Sequence, residues 1–282
     1  MKMRIAVIPN LHRASSAALF DAVCQCLQQA GAQVQAVTRP GALPSSAAIT
    51  EALAACELAI AIGGDGTIVH VAKSAAAADR PVLGINGGHL GFLAGLEKDE
   101  LEQLPRLLEG DYTTDDRLLL EITVHQGETT HTYLAMNEAV ISRGGLSRLL
   151  DTEVSAEGRE LLSCCGDGII IATPTGSTAY SLSAGGAVVD PQVDCLLVTP
   201  VCPHSVHTRP MILPASARLT VRALASDEET AYLTVDGEEN VIIASTDRLT
   251  VARADRTARL IRLKSATFYD VLEQKMLGRR KP

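Results

Sequence analysis

Hydrophobic periodicity changes once along this chain, near Asp115-Asp116, and that change limits the fold more than any other feature. Before it, short apolar runs alternate with alanine-rich stretches able to form helices. Strands are predicted over residues 4–8, 33–37, 58–62 and 81–85. Helices are predicted from Ser15 or Ser16 to Gln29, over 49–56 and over 67–78, with Gly31 and Gly41 where turns are needed. Strands alternating with helices imply a parallel, doubly wound sheet. After the change, Leu118, Leu120, Ile122 and Val124 alternate with Leu119, Glu121 and Thr123, and a turn follows at Gln126-Gly127-Glu128. Further short alternating segments are predicted over 151–155, 161–164, 218–224, 231–235, 248–252 and 259–263, which suggests an all-β second domain. Residues 268–277 return to helical spacing, with Val271, Leu272, Lys275 and Met276 on one face. The expected organisation is therefore an α/β domain over 1–116, a β-rich domain over 117–262 and a C-terminal segment over 263–282.

Composition narrows the partners. With 25 basic and 33 acidic residues the chain carries −8, so its summed field attracts neither nucleic acid nor an anionic membrane surface. A phosphate ligand is not excluded, because backbone N–H groups and one or two local cations can hold it. No run approaches the roughly 20 apolar residues of a membrane span. The run Ile5-Ala6-Val7-Ile8 reads as a buried strand and not as a signal peptide. Seven cysteines, an odd number, suggest reduced thiols and a cytoplasmic protein. Cys24-x-Cys26 and Cys164-Cys165 lack a second pair at zinc spacing.

Two segments carry chemistry. In the first, an apolar strand runs into Gly63-Gly64-Asp65-Gly66-Thr67 and then into a helix. Glycines let backbone approach a ligand closely, and a helix N-terminus offers unpaired N–H groups to an anion. The segment is neither G-x-G-x-x-G nor a Walker loop, since no G-K-[ST] follows. A carboxylate beside phosphate is repulsive unless it binds metal or manages a proton. Asp65 is thus a candidate general base or metal ligand, and the plainer alternative makes it the helix N-cap. In the second segment, Asp167-Gly168 leads an apolar strand into Thr173-Pro174-Thr175-Gly176-Ser177-Thr178-Ala179-Tyr180-Ser181. Closely spaced hydroxyls and exposed backbone suit a sugar or a base edge, although an ordinary Ser/Thr turn would also explain them.

These segments resemble the signatures of the NAD kinase family. Gly63–Thr67 is similar to the GGDGT motif that this family shares with diacylglycerol-type lipid kinases and, more loosely, with phosphofructokinases. Gly84-Ile85-Asn86-Gly87-Gly88-His89-Leu90-Gly91-Phe92-Leu93, Asn137-Glu138, the run from Asp167 to Tyr180, Pro203-His204-Ser205 with Arg209-Pro210, and Val235-Asp236-Gly237 resemble further blocks of that family, in its order. The resemblance implies phosphorylation of the adenosine 2′-hydroxyl of NAD, with NADH as a further acceptor, to make NADP(H). It implies ATP or another triphosphate or polyphosphate as donor, a divalent metal such as Mg2+, a homodimer or homotetramer, and a C-terminal segment that crosses back to pack on the N-terminal domain. It implies that Asp65 activates the hydroxyl and that Gly64, Gly66 and Thr67 lie along the donor phosphates. Phe92 would line the dinucleotide pocket, and Asn137, Thr175 and Thr178 would recognise adenine beside Ala179 and Tyr180. Glu138 would hold the ribose and Asp167 would meet the nicotinamide end. No protein side chain is assigned as a direct metal ligand. Two alternatives stay open on these residues: a lipid kinase sharing GGDGT, and a non-catalytic dinucleotide sensor.

One departure bears on specificity. Many members of the family carry a basic residue where this chain has Cys165, next to Asp167-Gly168. That leaves the preference between oxidised and reduced nicotinamide open. His204 and His207 have H-x-x-H spacing but no glutamate between them, and no G-x-S-x-G elbow supports a hydrolase. The basic end Arg279-Arg280-Lys281 reads as a solvated tail.

Overall fold

The computed structural model describes residues 2–12, 14–88, 91–144, 149–224, 230–265 and 267–276. His89, Leu90, Leu277 and the basic end 279–281 lie outside the described residues. The chain divides into two compact units, one of residues 1–116 with 258–282 and one of 117–257.

In the first unit the order is β1 (Arg4–Pro9), α1 (Ala14–Gln29), β2 (Gln33–Ala36), α2 (Ser46–Leu53), β3 (Leu58–Gly63), α3 (Asp65–Ala77), β4 (Val82–Asn86), β5 (Leu96–Glu97) and α4 (Arg106–Glu109). The strands β2, β1, β3 and β4 are parallel neighbours, with Ile5 opposite Val34 and Leu58, and Ile60 opposite Leu83. Every residue of β3 and β4 is buried, so both faces of these strands are covered. That explains their unbroken apolar sequence. Val23 and Leu27 of α1 join Ile5, Val7, Ile60, Leu83 and Ile85 in one core. The helix α2 starts three residues before its apolar periodicity, because the Ser45 side chain accepts a hydrogen bond from the Ala48 N–H and caps it.

The second unit is built on antiparallel ladders. Its strands are β6 (Thr113–Gln126), which starts in the first unit, β7 (Thr129–Ala135), β8 (Glu138–Arg143), β9 (Leu150–Ala156), β10 (Arg159–Gly166) and β11 (Gly168–Ala172). A 3₁₀ turn over Thr175–Thr178 and the single-turn α5 (Tyr180–Ser183) follow. The rest are β12 (Cys195–Val201), β13 (Met211–Pro214), β14 (Leu219–Ala223), β15 (Ala231–Val235), β16 (Glu239–Ile243) and β17 (Arg248–Arg262). One sheet runs β13-β12-β11-β8-β15-β16, and β10, β9, β14 and β17 are neighbours in the other. Ile141, Ile169, Ile171 and Leu233 from one sheet meet Val154, Leu219, Val221 and Val251 from the other in a shared core. Ile170 and Ala172 turn the opposite way into a second cluster with Val189 and Leu197. Central β11 is therefore buried on both faces, and its Gly-Ile-Ile-Ile-Ala sequence does not alternate.

The predicted pair of strands over 248–252 and 259–263 is one strand, β17. Its polar middle, Arg253 to Thr257, contains neither glycine nor proline, so nothing turns the backbone. Its early residues pair with β14, and Leu260 pairs with Val82 of β4. The last element among the described residues is α6 (Phe268–Met276), which belongs to the first unit.

Candidate active site

The site residues of the first unit gather where β3 turns into α3. Gly64 is the N-cap and Asp65 the first helical residue, so the reading of Asp65 as the cap is corrected by one position. The cap is a glycine with extended backbone and makes no side-chain hydrogen bond, which leaves the Asp65 carboxylate for other partners. Its two oxygens accept from the backbone N–H groups of Phe92 (2.9 Å) and Leu93 (3.2 Å). This fit requires a glycine at position 91, where a Cβ would overlap the Asp65 carboxylate. The acid thus lies a third exposed in a backbone cradle, with lone pairs left on both oxygens. Gly64 and Gly66 are exposed, whereas Thr67 is buried and its hydroxyl accepts from Asn10 Nδ2 at 3.0 Å. Phe92 is half-buried, with its ring 6.0 Å from that of Phe268 and the Lys275 ammonium 4.3 Å above it. The same ammonium stands 4.0 Å from Asp65 Oδ2.

In the second unit the Asn137-Glu138 turn is clamped from two sides. The Asp236 carboxylate accepts from the N–H groups of Met136 (2.8 Å), Asn137 (2.8 Å) and Glu138 (3.0 Å). Opposite, Thr173 N–H donates to the Asn137 carbonyl (2.9 Å) and the Thr173 hydroxyl to the Met136 carbonyl (2.6 Å). Gly176 N–H donates to that same hydroxyl at 3.0 Å. Gly176 lies so close that a Cβ would overlap the Asn137 carbonyl oxygen. The hydroxyl-rich segment is therefore bound onto the Asn-Glu turn. Thr175 is buried and accepts from Arg117 Nη1 at 3.2 Å, while Thr178 bonds back to the Thr175 carbonyl at 3.3 Å. Ala179 is half-buried and Tyr180 exposed beside them.

Glu138 is the electrostatic outlier. It is 7% exposed, and its Oε2 has no hydrogen-bond partner. Burial first, and then the Asp236 charge, push its carboxyl up to about 7, against a smaller opposing effect of the Tyr180 N–H. A buried acid with one unpaired oxygen, beside a turn whose backbone is fully engaged, is ready to meet a ligand hydroxyl.

Asp167 is not brought to this cluster. In the antiparallel register Glu138 faces Ala172 while Ser142 faces Gly168, so Asp167 lies at the far ends of β8 and β11. Five residues along the strand separate the two, roughly 17 Å. There Arg143 Nε donates to Asp167 Oδ1 at 2.7 Å. Cys165, half-buried on β10, has its thiol pushed up chiefly by a hydrogen bond to Asp151, which keeps it uncharged. Sequence reasoning did not single out Arg143, Asp236, Thr173 or Lys275 as site residues. Thr173 and Asp236 stood within the family-like segments without being assigned a role, and charged residues distant in sequence leave no local signal.

In fold the chain is similar to two solved kinases. One is yeast NADH kinase complexed with NADH (TM-score 0.84, 24% identity, covering 100% of this chain and 89% of that one). The other is an NAD kinase from Archaeoglobus fulgidus in complex with ATP (TM-score 0.75, 20% identity, covering 99% and 98%). Residues 5–112 match the ATP-NAD kinase N-terminal domain and residues 136–263 the ATP-NAD kinase C-terminal domain. The NAD kinase of Symbiobacterium thermophilum is 42% identical over 98% of this chain and 99% of its own. That of Moorella thermoacetica is 39% identical over 97% and 89%. The chain belongs to the ATP-NAD kinase family. A lipid kinase sharing only the Gly-Gly-Asp-Gly-Thr turn is not favoured, because both family domains are matched.

Proposed function

We infer that this protein is an NAD kinase, which transfers the terminal phosphoryl group of ATP to the adenosine 2′-hydroxyl of NAD and makes NADP. The observation that carries the mechanism is the Asp65 carboxylate, cradled by two N–H groups at the exposed N-terminal turn of α3. In our reading the bond from the 2′-oxygen to phosphorus forms as the bond to the leaving ADP oxygen breaks. The hydroxyl proton passes to Asp65. Such a positioned base contributes about 10²–10⁴-fold. Gly64, Gly66 and Thr67 lie along the donor phosphates, where absent side chains let backbone approach. Phe92 borders the acceptor. Asn137, Thr175, Thr178, Ala179 and Tyr180 frame the adenine, and the unpaired Oε2 of Glu138 takes a ribose hydroxyl. The separation of Asp167 from that cluster suits a contact with the far end of a long ligand, or with a ligand shared by a second subunit. A homodimer or homotetramer fits the latter.

A divalent metal, magnesium in our reading, would be held by donor phosphate oxygens and water. Among the described residues no three His, Cys, Asp or Glu side chains gather as a ligand set, and magnesium commonly binds through substrate phosphates. When bound, it neutralises charge on the donor. The Arg143–Asp167 pair is neutral as a pair, and Cys165, beside the Asp151 carboxylate, adds no cation. Oxidised and reduced nicotinamide are therefore both accepted, with NAD and NADH turned over within about tenfold of each other. All seven cysteines are free, which supports a cytoplasmic location. No described helix is long and apolar enough to cross a membrane. Incubation with ATP, magnesium and NAD, followed by an NADP-specific dehydrogenase readout, tests the assignment. NADP formation supports it, and intact NAD after prolonged incubation refutes it.

A further inference from the structure

Phosphoryl transfer spreads negative charge over three equatorial oxygens, and sites that catalyse it set a lysine, an arginine or a metal against them. Where a glycine loop cradles phosphates in the Walker manner, the lysine directly follows the glycines. In this chain Gly63-Gly64-Asp65-Gly66 is followed by Thr67-Ile68-Val69, and the turn carries a negative side chain and no basic one. A protein cation for this site has to come from another element.

Lys275 arrives there from the far end of the chain, on a helix seated by two independent devices. The first is a reciprocal cap: Thr267 N–H and hydroxyl both donate to Asp270 Oδ2 at 2.8 Å, and Asp270 N–H donates to the Thr267 hydroxyl at 3.3 Å. The second is Phe268, whose ring packs on Phe92 at 6.0 Å and 35°. Lys275 lies seven residues after Phe268, two turns along the same face, so seating Phe268 on Phe92 also aims Lys275 at it. The ammonium sits 4.3 Å from the Phe92 ring centroid and 4.0 Å from Asp65 Oδ2. Neither contact occupies an N–H donor in a hydrogen bond, so the ammonium keeps charged donors for a ligand oxygen. Nor does Asp65 need the lysine for orientation, since the N–H groups of Phe92 and Leu93 already hold both its oxygens.

We propose that Lys275 is a catalytic residue, whose ammonium rests on the Phe92 ring beside Asp65 and hydrogen-bonds the terminal phosphoryl group of the nucleoside triphosphate as it is transferred. The proposal rests on the kinase reading above. Lys275 exchanges no proton in the step: the 2′-hydroxyl proton goes to Asp65, the new oxygen–phosphorus bond forms, and the bond from phosphorus to the departing ADP oxygen breaks. The lysine's contribution is charge held ready where charge develops. It also gives α6 a functional place, because the helix carries this cation back to a site built from residues 63–67 and 91–93.

The test uses the full chain in two measurements. In steady-state kinetics with ATP, magnesium and NAD, Lys275→Met is expected to lower kcat by about 10²-fold and to change KM for NAD by less than about 3-fold. Lys275→Arg is expected to recover at least about tenfold of that loss. Turnover of Lys275→Met within about 3-fold of wild type, an arginine variant no better than the methionine one, or a loss confined to KM for NAD would each overturn the proposal. In the second measurement, reductive methylation of Lys275 in the unsubstituted protein is followed by mass spectrometry, with and without magnesium and a non-hydrolysable ATP analogue. Strong protection by the analogue is expected, and unchanged labelling overturns the proposal even if the variants fold poorly. A wild-type protein that phosphorylates no dinucleotide, yet shows Lys275 protected by the analogue, would refute the acceptor reading and leave the phosphate contact standing.

Discussion

Replacing Glu138 with glutamine isolates a buried acid whose carboxyl is strongly raised. Its carboxyl is raised from 4.5 to about 7, by burial and then by Asp236. Below about pH 4.5 the residue is protonated in both the folded and unfolded chain and contributes no pH dependence. Between about 4.5 and 7 the folded chain keeps a proton that the unfolded chain has lost, so stability falls as pH rises. Above 7 the full penalty is present. At about 1.4 kcal/mol per pKa unit it amounts to about 3 kcal/mol. Glu138→Gln cannot ionise. We expect its melting temperature to exceed wild type by only about 2–3 °C near pH 5 and by roughly 6–12 °C at pH 8, taking about 2–4 °C per kcal/mol for a chain of this size. The same substitution should weaken dinucleotide binding, because the ionised Oε2 is the better acceptor for a ribose hydroxyl. Thermal melting of both proteins from pH 5 to 8.5, without ligand, checks the first part. Melting curves that keep a constant offset across that range would refute the reasoning, since no proton would then be linked to burial of Glu138.

Two other substitutions probe separate features. Gly176→Ala places a methyl group against the Asn137 carbonyl oxygen, a backbone atom locked by Thr173, and should raise KM for NAD at least about tenfold through displacement of the adenine-framing turn; unchanged KM would show that the turn is not part of the pocket. Arg143→Met leaves Asp167 without its 2.7 Å ion pair and should shift preference toward the positively charged oxidised ring by about 3- to 10-fold, read as the ratio of kcat/KM for NAD and NADH.

Much of the fold was visible in the residues because burial leaves a simple trace. The apolar runs of β1, β3 and β4 are continuous because these strands are covered on both faces, and β9, β15 and the part of β6 from Leu120 to Val124 alternate because one face is more open. Boundaries were less legible where a polar side chain decides them. Ser45 starts α2 ahead of its apolar pattern, and the glycine-free middle of β17 extends one strand where two were predicted. The glycine turn, the Asn-Glu pair and the hydroxyl run could be singled out because each is local. The residues that hold them are not local: Asp236 reaches the Asn-Glu turn from another strand, Arg143 reaches Asp167 across a β-ladder, and Lys275 reaches Asp65 from the last helix. A charged side chain on a helix or strand looks the same in sequence whether it faces solvent or a ligand.

The measurement that tests the central claim most directly is turnover of Asp65→Asn beside wild type, with ATP, magnesium and NAD, together with calorimetric binding of NAD to both. Asparagine keeps the size and one acceptor oxygen for the Phe92 and Leu93 cradle, but it cannot take a proton. The account predicts that NADP formation falls by at least about 10²-fold while NAD still binds. A variant that turns over near the wild-type rate would contradict it, and would remove Asp65 from the chemistry.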